Sequence, residues 1–373
     1  MCFDDLPERV WLMAKMADVM SERVMPVEIR FLIEAAASAP SADNSQPWCF
    51  TWDKHMLEVR AQGRAGSFPV DYHPSLLAYG AVSENLTQAL SALGLGMQDW
   101  YIGPPDVEGR FAYGPVSSAA VPVPTARPWL ERHTSRQRFD SSKHLPDALL
   151  NELGRLTQSR CTCRVFTKPE QISKIALLVK QAARIRFRTQ ELHMGLAGSL
   201  RFGSQPEDYR EGLNVNTLAL PPGGRLLLKL ISDWRRMQLF NRFGLYKALA
   251  AIEASTLAES TALVAIMGPI SPVDALDAGR LLQRVWLQVS AGGYAGHPFY
   301  VLSDLAMRFA DGKVSEALQM EAKKTVRQAA HFFGEERGVL HCLMRLGMPI
   351  SDGEVSSRLS LEELTCKGIR SAQ

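Results

Sequence analysis

The sequence predicts an α+β protein built from two fused lobes, each a mixed, mainly antiparallel sheet flanked by helices, with an insertion inside the second lobe. Three observations carry this expectation. At 373 residues the chain exceeds one ordinary domain and has room for roughly two to three. A proline-started helix ahead of a strand occurs early in the chain and again after residue 128. Two distant segments, from Tyr79-Gly80 and from Ala278-Gly279, also echo each other: each places glycine second, runs into a long amphipathic helix and closes on a glycine turn. In this reading Gly80 and Gly279 open their helices, and Gly94 and Gly293 close them. Two such copies make a pseudo-dimer rather than a solenoid, with a first lobe over 1–128 and a second over 129–373.

The elements follow in order. Residues 5–22 carry Val10, Leu12, Met13, Met16 and Met20 at mostly helical spacing, a stripe read as core filler. "MPVEIRFLIEAAASAP" is a helix with Pro26 near its start, Ile29, Leu32, Ile33 and Ala36 on its buried face, and Pro40 as its stop. "WCFTWD" and "MLEVRA" are paired strands around Asp53-Lys54, and a long helix runs from about Ser75 to Leu93, where Gly94 and Gly96 end it. Residues 114–128 are rich in proline and small side chains and form a connector. Beyond it come the helix in "HLPDALLNELGRL", the strand "CTCRVF" and a helix from Ile172 to about Arg186. Residues 187–245 fit neither lobe and are read as a lid or interface insertion that ends in one amphipathic helix, "LLLKLISDWRRMQLFNRFG", with cations on one side.

Composition narrows the function. A net charge of +3 with 22% charged residues excludes a nucleic-acid surface but leaves room for a local basic site. No run reaches the ~18 apolar residues of a membrane span, and no secretory signal opens the chain. The insertion helix is set aside as a membrane-surface element for want of flanking basic residues. Six scattered cysteines lack framework spacing, so free thiols and a cytoplasmic setting are expected. Cys161-Thr162-Cys163 reads as a strand with two small side chains on one face, not a metal site, and His331 and His341 as structural.

Two stretches do not read as packing. "APSADNSQPWCF" runs a small-residue turn into Gln46-Pro47-Trp48, and "RPWLERHTSRQRFD" crowds Arg127, Arg132, Arg136 and Arg138 together with His133, Thr134 and Ser135. The second is either a solvated basic turn or a phosphate clamp, since guanidinium forks and a hydroxyl offer convergent donors. Neither a G-x-G-x-x-G loop after a strand nor a P-loop pattern is present to do that work.

Arg132-His133-Thr134-Ser135-Arg136 ahead of a proline-started helix resembles the flavin-phosphate motif of the FMN-dependent nitroreductases, and "PSADNSQPW" resembles their second motif. Each occurs once, in different halves, which resembles the tandem Acg-type members in which one chain supplies both lobes and a lid. "GRLLQRVWLQVSAGGYAGHPF", "REGLNVNTLALP" and the tail from Leu340 agree with it, so the resemblance covers most of residues 24–365. It implies that Arg132, His133, Thr134 and Arg136 hold the FMN phosphate and ribityl chain, with Arg358 as a third cation. Pro40, Ser41 and Asn44 would meet the flavin from the other lobe, Trp48 would anchor their loop in the core, and the turn Ala295-Gly296-His297 would approach the ring edge. Two departures stand out: Ala42 replaces the usual second serine, and Arg358 stands alone where a basic pair is common.

The resemblance further implies an oxidoreductase that takes hydride from NAD(P)H and passes electrons to a small organic substrate, with no side-chain acid or base named. The alternative is a flavin-sequestering or regulatory protein whose lid closes off the nicotinamide face. One site per chain is expected, in a monomeric pseudo-dimer or loose homodimer, with no metal, nucleic acid or membrane among its partners.

Overall fold

The computed structural model describes residues 25–52, 56–62, 72–95, 97–101, 109–113, 125–203, 205 and 210–365. The expected helix over 5–22, the turn at Asp53-Lys54, Gly96 and most of the connector lie outside the described residues. Helix α1 spans Val27–Ala37, strands β1 and β2 span Trp48–Trp52 and Met56–Ala61, and α2 spans His73–Ala92. Strands β3 (Met97–Tyr101) and β4 (Gly109–Tyr113) complete a four-stranded antiparallel sheet ordered β1-β2-β4-β3. Next come a short turn of helix, α3 (Pro128–Glu131), then α4 (Asp147–Arg155), β5 (Thr157–Gln158), β6 (Cys161–Phe166) and α5 (Pro169–Arg186).

The insertion holds α6 (Gln190–Ser199), a parallel pair of two-residue strands, β7 (Leu200–Arg201) and β8 (Leu213–Asn214), and helices α7 (Gly224–Ile231) and α8 (Trp234–Arg242), after which α9 (Leu245–Ala258) packs Ala250, Ala254 and Leu257 into the second-lobe core. The single amphipathic helix expected over this stretch is thus two. Asp233 breaks it, because its carboxylate accepts from the Arg236 amide and starts a new helix there. After β9 (Ala262–Gly268) come α10 (Pro272–Ala291), β10 (Ala295–Phe299), α11 (Val301–Ala310), α12 (Gln319–Phe333), β11 (Val339–Gly347) and a last turn, α13 (Leu361–Leu364). The second main sheet is antiparallel in the order β10-β11-β9-β6-β5, so the two sheets do not share a strand order.

What the two halves do share is a pair of central helices. Pro74 and Pro272 sit in the first turns of α2 and α10, and both helices end on a left-handed glycine, Gly94 and Gly293. The Leu95 amide returns to the Leu90 carbonyl, and the Tyr294 amide to that of Val289. Gly80 and Gly279, expected to open these helices, lie inside them instead. Their lack of a side chain serves contact rather than initiation: a Cβ on Gly80 would stand 2.0 Å from the Leu276 carbonyl oxygen, and one on Gly279 2.1 Å from that of Leu77. Leu77 and Leu276 lie one turn ahead of the two glycines, so the crossing is reciprocal. Around it, Arg284 grips the buried Glu84 carboxylate through two bonds of 2.9 and 2.7 Å, and Gln283 donates to Asn85 at 2.7 Å.

Three cores follow. In the first lobe Phe31, Leu32, Trp48, Phe50 and Leu86 pack with Leu276 and Leu287 from α10. Trp48 is fully buried, as expected of an anchor. The second lobe has one core on each face of its sheet: Phe166, Val179, Leu343 and Phe333 on one side, and Val264, Trp286, Met344 and Cys163 on the other. Cys161 and Cys163 are buried on the same face of β6, as the strand reading required. Cys49 is disulfide-bonded, which corrects the expectation of free thiols throughout. The tail returns to the first lobe, where Leu364 enters its core and Thr365 bridges Phe50.

Candidate functional site

The site lies where three loops meet: the turn after α1, the arginine segment after α3, and the returning tail. The turn after α1 is tight. Ala42–Asn44 forms one turn of 3-10 helix, and Asp43, Asn44 and Gln46 all have positive φ, at 50°, 57° and 44°. Non-glycine residues enter this left-handed region at a cost, and here that cost is met by polar bonds to distant segments of the chain. The Ser41 hydroxyl accepts from the Gln46 amide at 3.0 Å, and the Gln46 side-chain oxygen accepts from the Leu359 amide at 3.0 Å. Asn44 is engaged on both sides, donating to the carbonyls of Arg210 (3.1 Å) and Ser357 (3.0 Å) and accepting from Arg358 at 2.8 Å.

Arg132 is 5% exposed, donates to the Ser38 carbonyl at 2.9 Å and stacks its guanidinium 4.4 Å over the Trp286 ring. Arg358 reaches toward the same carbonyl, so both cations cap the C-terminus of α1, where partial negative charge collects. Their charge still exceeds that demand. The Arg132 Nε is buried without a hydrogen-bond partner, and burial together with Arg358 pushes Arg132 down to about 9. Burial takes Arg358 down to about 10. Both remain protonated at neutral pH.

Arg136 lies near Asp43 and meets the Thr217 hydroxyl of the insertion at 3.4 Å. Burial pushes the Asp43 carboxyl up, although a 3.0 Å bond from Ser199 and the charge of Arg136 oppose that. Arg132, Arg136 and Arg358 thus gather about the turn after α1, with the Asp43 carboxylate beside Arg136, a donor set that fits a multiply charged anion such as a phosphate monoester.

Thr134 bridges Gly296 in parallel register, and the Ser135 amide donates to the Gly296 carbonyl at 3.1 Å. This ties the arginine segment to β10. Residues 295–297 are therefore strand, not the expected turn, because Gly292 and Gly293 have already reversed the chain. Gly296 is needed there, since a Cβ would lie 2.9 Å from the Trp286 indole nitrogen. His297 is held well below its usual range, first by burial and then by Arg136 and Arg345. Its Nδ1 accepts from Arg345 at 3.2 Å, so the neutral ring carries its proton on Nε2.

Of the residues expected in the site, Arg132, Arg136, Arg358, Ser41, Asn44, Thr134, Gly296 and His297 fall in this cluster. Pro40 and Ala295 lie beside it in the chain. His133 turns away to the Glu131 carbonyl at 3.1 Å, and Arg127 and Arg138 pair with Glu34 and Glu259. The residue reading missed Arg345, Asp43, Ser199 and Thr217. Arg345 is fully buried and donates to the carbonyls of Ser135, Gln137 and Thr256 at 3.2, 2.7 and 3.2 Å. Its signal was present, as a lone charge within the apolar run "HCLMRLG".

A second polar row links the lobes away from this cluster. The Tyr300 hydroxyl, His73, His341 and the Pro269 carbonyl are joined by bonds of 2.8, 2.8 and 3.0 Å. Burial, with the neighbouring His341, holds His73 down to about 3, and burial lowers His341. Because the Pro269 oxygen can only accept, neutral His341 carries its proton on Nε2, His73 donates from Nε2, and Tyr300 donates to His73 Nδ1. A histidine depressed in the fold binds protons more readily when unfolded, so its stabilisation is complete above about 6.5 and is lost as pH falls toward about 3. Urea midpoints measured from pH 7 to pH 4 should therefore fall more steeply for the native chain than for His73→Asn. Equal slopes would refute the assignment.

No family model matches the chain. A curated protein of Mycobacterium tuberculosis (strain CDC 1551 / Oshkosh), the uncharacterized protein MT1398, is 24% identical over 297 residues, which cover 77% of this chain and 41% of that protein. The chain thus spans less than half the length of this relative. Among solved structures, the FMN-dependent nitroreductase NfnB from Mycobacterium smegmatis, in complex with NADPH, aligns with TM-score 0.39 and 15% identity over 65% of this chain and 97% of that one. A nitroreductase with bound FMN from Bacteroides fragilis aligns with TM-score 0.36 and 10% identity over 67% and 100%. A BluB-like flavoprotein from Clostridium difficile gives 0.35 and 13% over 65% and 97%.

Proposed function

We propose that the chain is an FMN-dependent oxidoreductase that passes electrons from NAD(P)H to a small organic substrate, with the cofactor phosphate held by Arg132, Arg136 and Arg358. The observation that supports this reading is the imbalance of the buried cluster. Three guanidiniums gather at the seam of the two lobes, the Asp43 carboxylate lies beside Arg136, and the Arg132 Nε has no hydrogen-bond partner. A phosphate dianion supplies the missing acceptors and charge. Bound FMN would supply the hydride and electron transfer.

The protein's part is placement. Arg132 is fixed by Trp286 and by the end of α1, Arg136 by Asp43 and Thr217, and Arg358 by Asn44. The Thr134–Gly296 bridge brings β10, with neutral His297, alongside the same segment. Ser199, Thr217 and the Arg210 carbonyl come from the insertion, and the Gly212 amide donates to the Asn44 carbonyl at 3.2 Å, so the insertion covers the turn after α1 and limits access of water.

The test is flavin retention. The purified chain should absorb in the flavin bands, and NADPH or NADH should bleach it under anaerobic conditions. Arg136→Ala and Arg132→Ala should each raise the FMN dissociation constant at least tenfold, a loss of about 1.4 kcal/mol or more for a charge-assisted contact. Arg138→Ala, which removes only an exposed pair with Glu259, should leave it unchanged. A colourless chain that refuses added FMN, or unchanged retention in both of the first variants, would overturn the proposal.

A further inference from the structure

Helices α7 and α8 carry a surface that the flavin reading does not use. Along α8 the exposed residues Arg235, Arg236, Leu239 and Arg242, followed by Phe243, recur at one-turn intervals and share one face. The opposite face is committed: Met237 is fully buried, and Asn241 donates to the Phe187 carbonyl at 2.9 Å. On α7, Leu226, Leu227, Lys229 and Leu230 are exposed, while Ile231 turns inward. The apolar exposure is large, reaching 74% at Leu226, 51% at Leu239 and 85% at Phe243. Among the described residues, Lys229, Arg235, Arg236, Arg242 and Lys247 form no ion pair. The one carboxylate within residues 222–248 is Asp233, and its oxygen is occupied by the Arg236 amide.

From this we infer that the α7–α8 face docks on an anionic lipid bilayer, with its leucines and Phe243 at the level of the acyl chains and its cations at the phosphates. Charge complementarity selects this occupant. A second copy of the chain would bring the same uncompensated cations against this face, which like-charge repulsion opposes. Leucines interleaved with arginines and lysines on one face suit an interface with an apolar floor and an anionic rim, because long cationic side chains reach outward while their stems lie on apolar surface. Helices of eight and nine residues are too short to cross a bilayer, and no helix among the described residues is long and apolar enough to do so. The attachment is peripheral. The sequence sets a membrane surface aside for want of flanking basic residues; the exposed cations of α7 and α8, which form no ion pair among the described residues, are the observation that speaks for one.

Co-sedimentation of the full chain with extruded vesicles tests this. Phosphatidylcholine vesicles containing phosphatidylglycerol should bind the chain at least tenfold more tightly than phosphatidylcholine alone, and high salt should release it. Arg235→Glu/Arg236→Glu and Leu239→Ser/Phe243→Ser should each weaken binding at least tenfold with unchanged melting temperature, since all four residues are exposed. Lys323→Glu/Lys324→Glu on α12 changes the net charge equally and should have no effect. Equal binding to both vesicle types, no binding to either, or equal weakening by the α12 pair would overturn the inference. So would a concentration-dependent dimer that Leu239→Ser/Phe243→Ser abolishes, which would give the face to a second copy.

Discussion

One added methyl group at Gly279 is expected to cost the fold roughly 3 kcal/mol or more. The alanine Cβ would stand 2.1 Å from the Leu77 carbonyl oxygen and 2.8 Å from its carbonyl carbon, both backbone atoms of the facing helix. No flexible side chain is there to give way, so α2 and α10 must separate. Separation also loosens the Arg284–Glu84 and Gln283–Asn85 bonds, which depend on the same spacing. Gly80→Ala meets the mirror obstruction, 2.0 Å from the Leu276 oxygen, and should cost as much. Gly195→Ala, inside α6 with open space around the new atom, should instead gain about 0.5–1 kcal/mol from its helix propensity. Urea unfolding of the three variants checks this, and near-native stability in Gly279→Ala would show that the helices do not meet as described.

Arg345→Met should be nearly as damaging, at roughly 3–5 kcal/mol, and should weaken flavin retention as well. Methionine matches the apolar neighbours Met344 and Leu346 but carries no donors. The carbonyls of Ser135, Gln137 and Thr256 would lose those bonds, and His297 its tether. Ser135 and Gln137 flank Arg136, so loosening them displaces a cation of the site without touching its ligand. Arg345→Lys keeps the charge but cannot reproduce a planar fork that reaches several carbonyls, and should resemble the methionine variant. Denaturant midpoints alongside FMN titration separate the two effects. A methionine variant that is stable and binds FMN normally would remove Arg345 from its positioning role.

Local pattern made the regular elements readable. Pro26, Pro74 and Pro272 mark helix starts, Gly94 and Gly293 mark helix ends, and the alternation in "CTCRVF" places both cysteines on one face of a strand. Errors came where a residue serves a partner distant in sequence. Gly80 and Gly279 look like punctuation until the opposing helix is present, and Ala295–His297 look like a turn until β11 pairs with them. The break at Asp233 was available in principle, since an acid ahead of "WRRM" is an N-cap signal. The arginine segment and the Asn44 turn were legible as residues with polar duties. That Ser199 and Thr217 join them was not, because only the folded insertion brings them near; Asp43 lay in view beside Asn44 without any sign of its partner in Arg136.

The row from Tyr300 through His73 and His341 ends on a main-chain oxygen, and that fixes what it can do. Proton hopping requires each member to hand a proton on and then turn round to receive another; a peptide carbonyl has none to hand on. The row is thus a dead end for charge and a lock for orientation. It spans α2 of one lobe and β11 of the other, so swapping the His341 ring for a phenyl would strand a polar atom on each shore, His73 Nε2 on one and the Pro269 oxygen on the other.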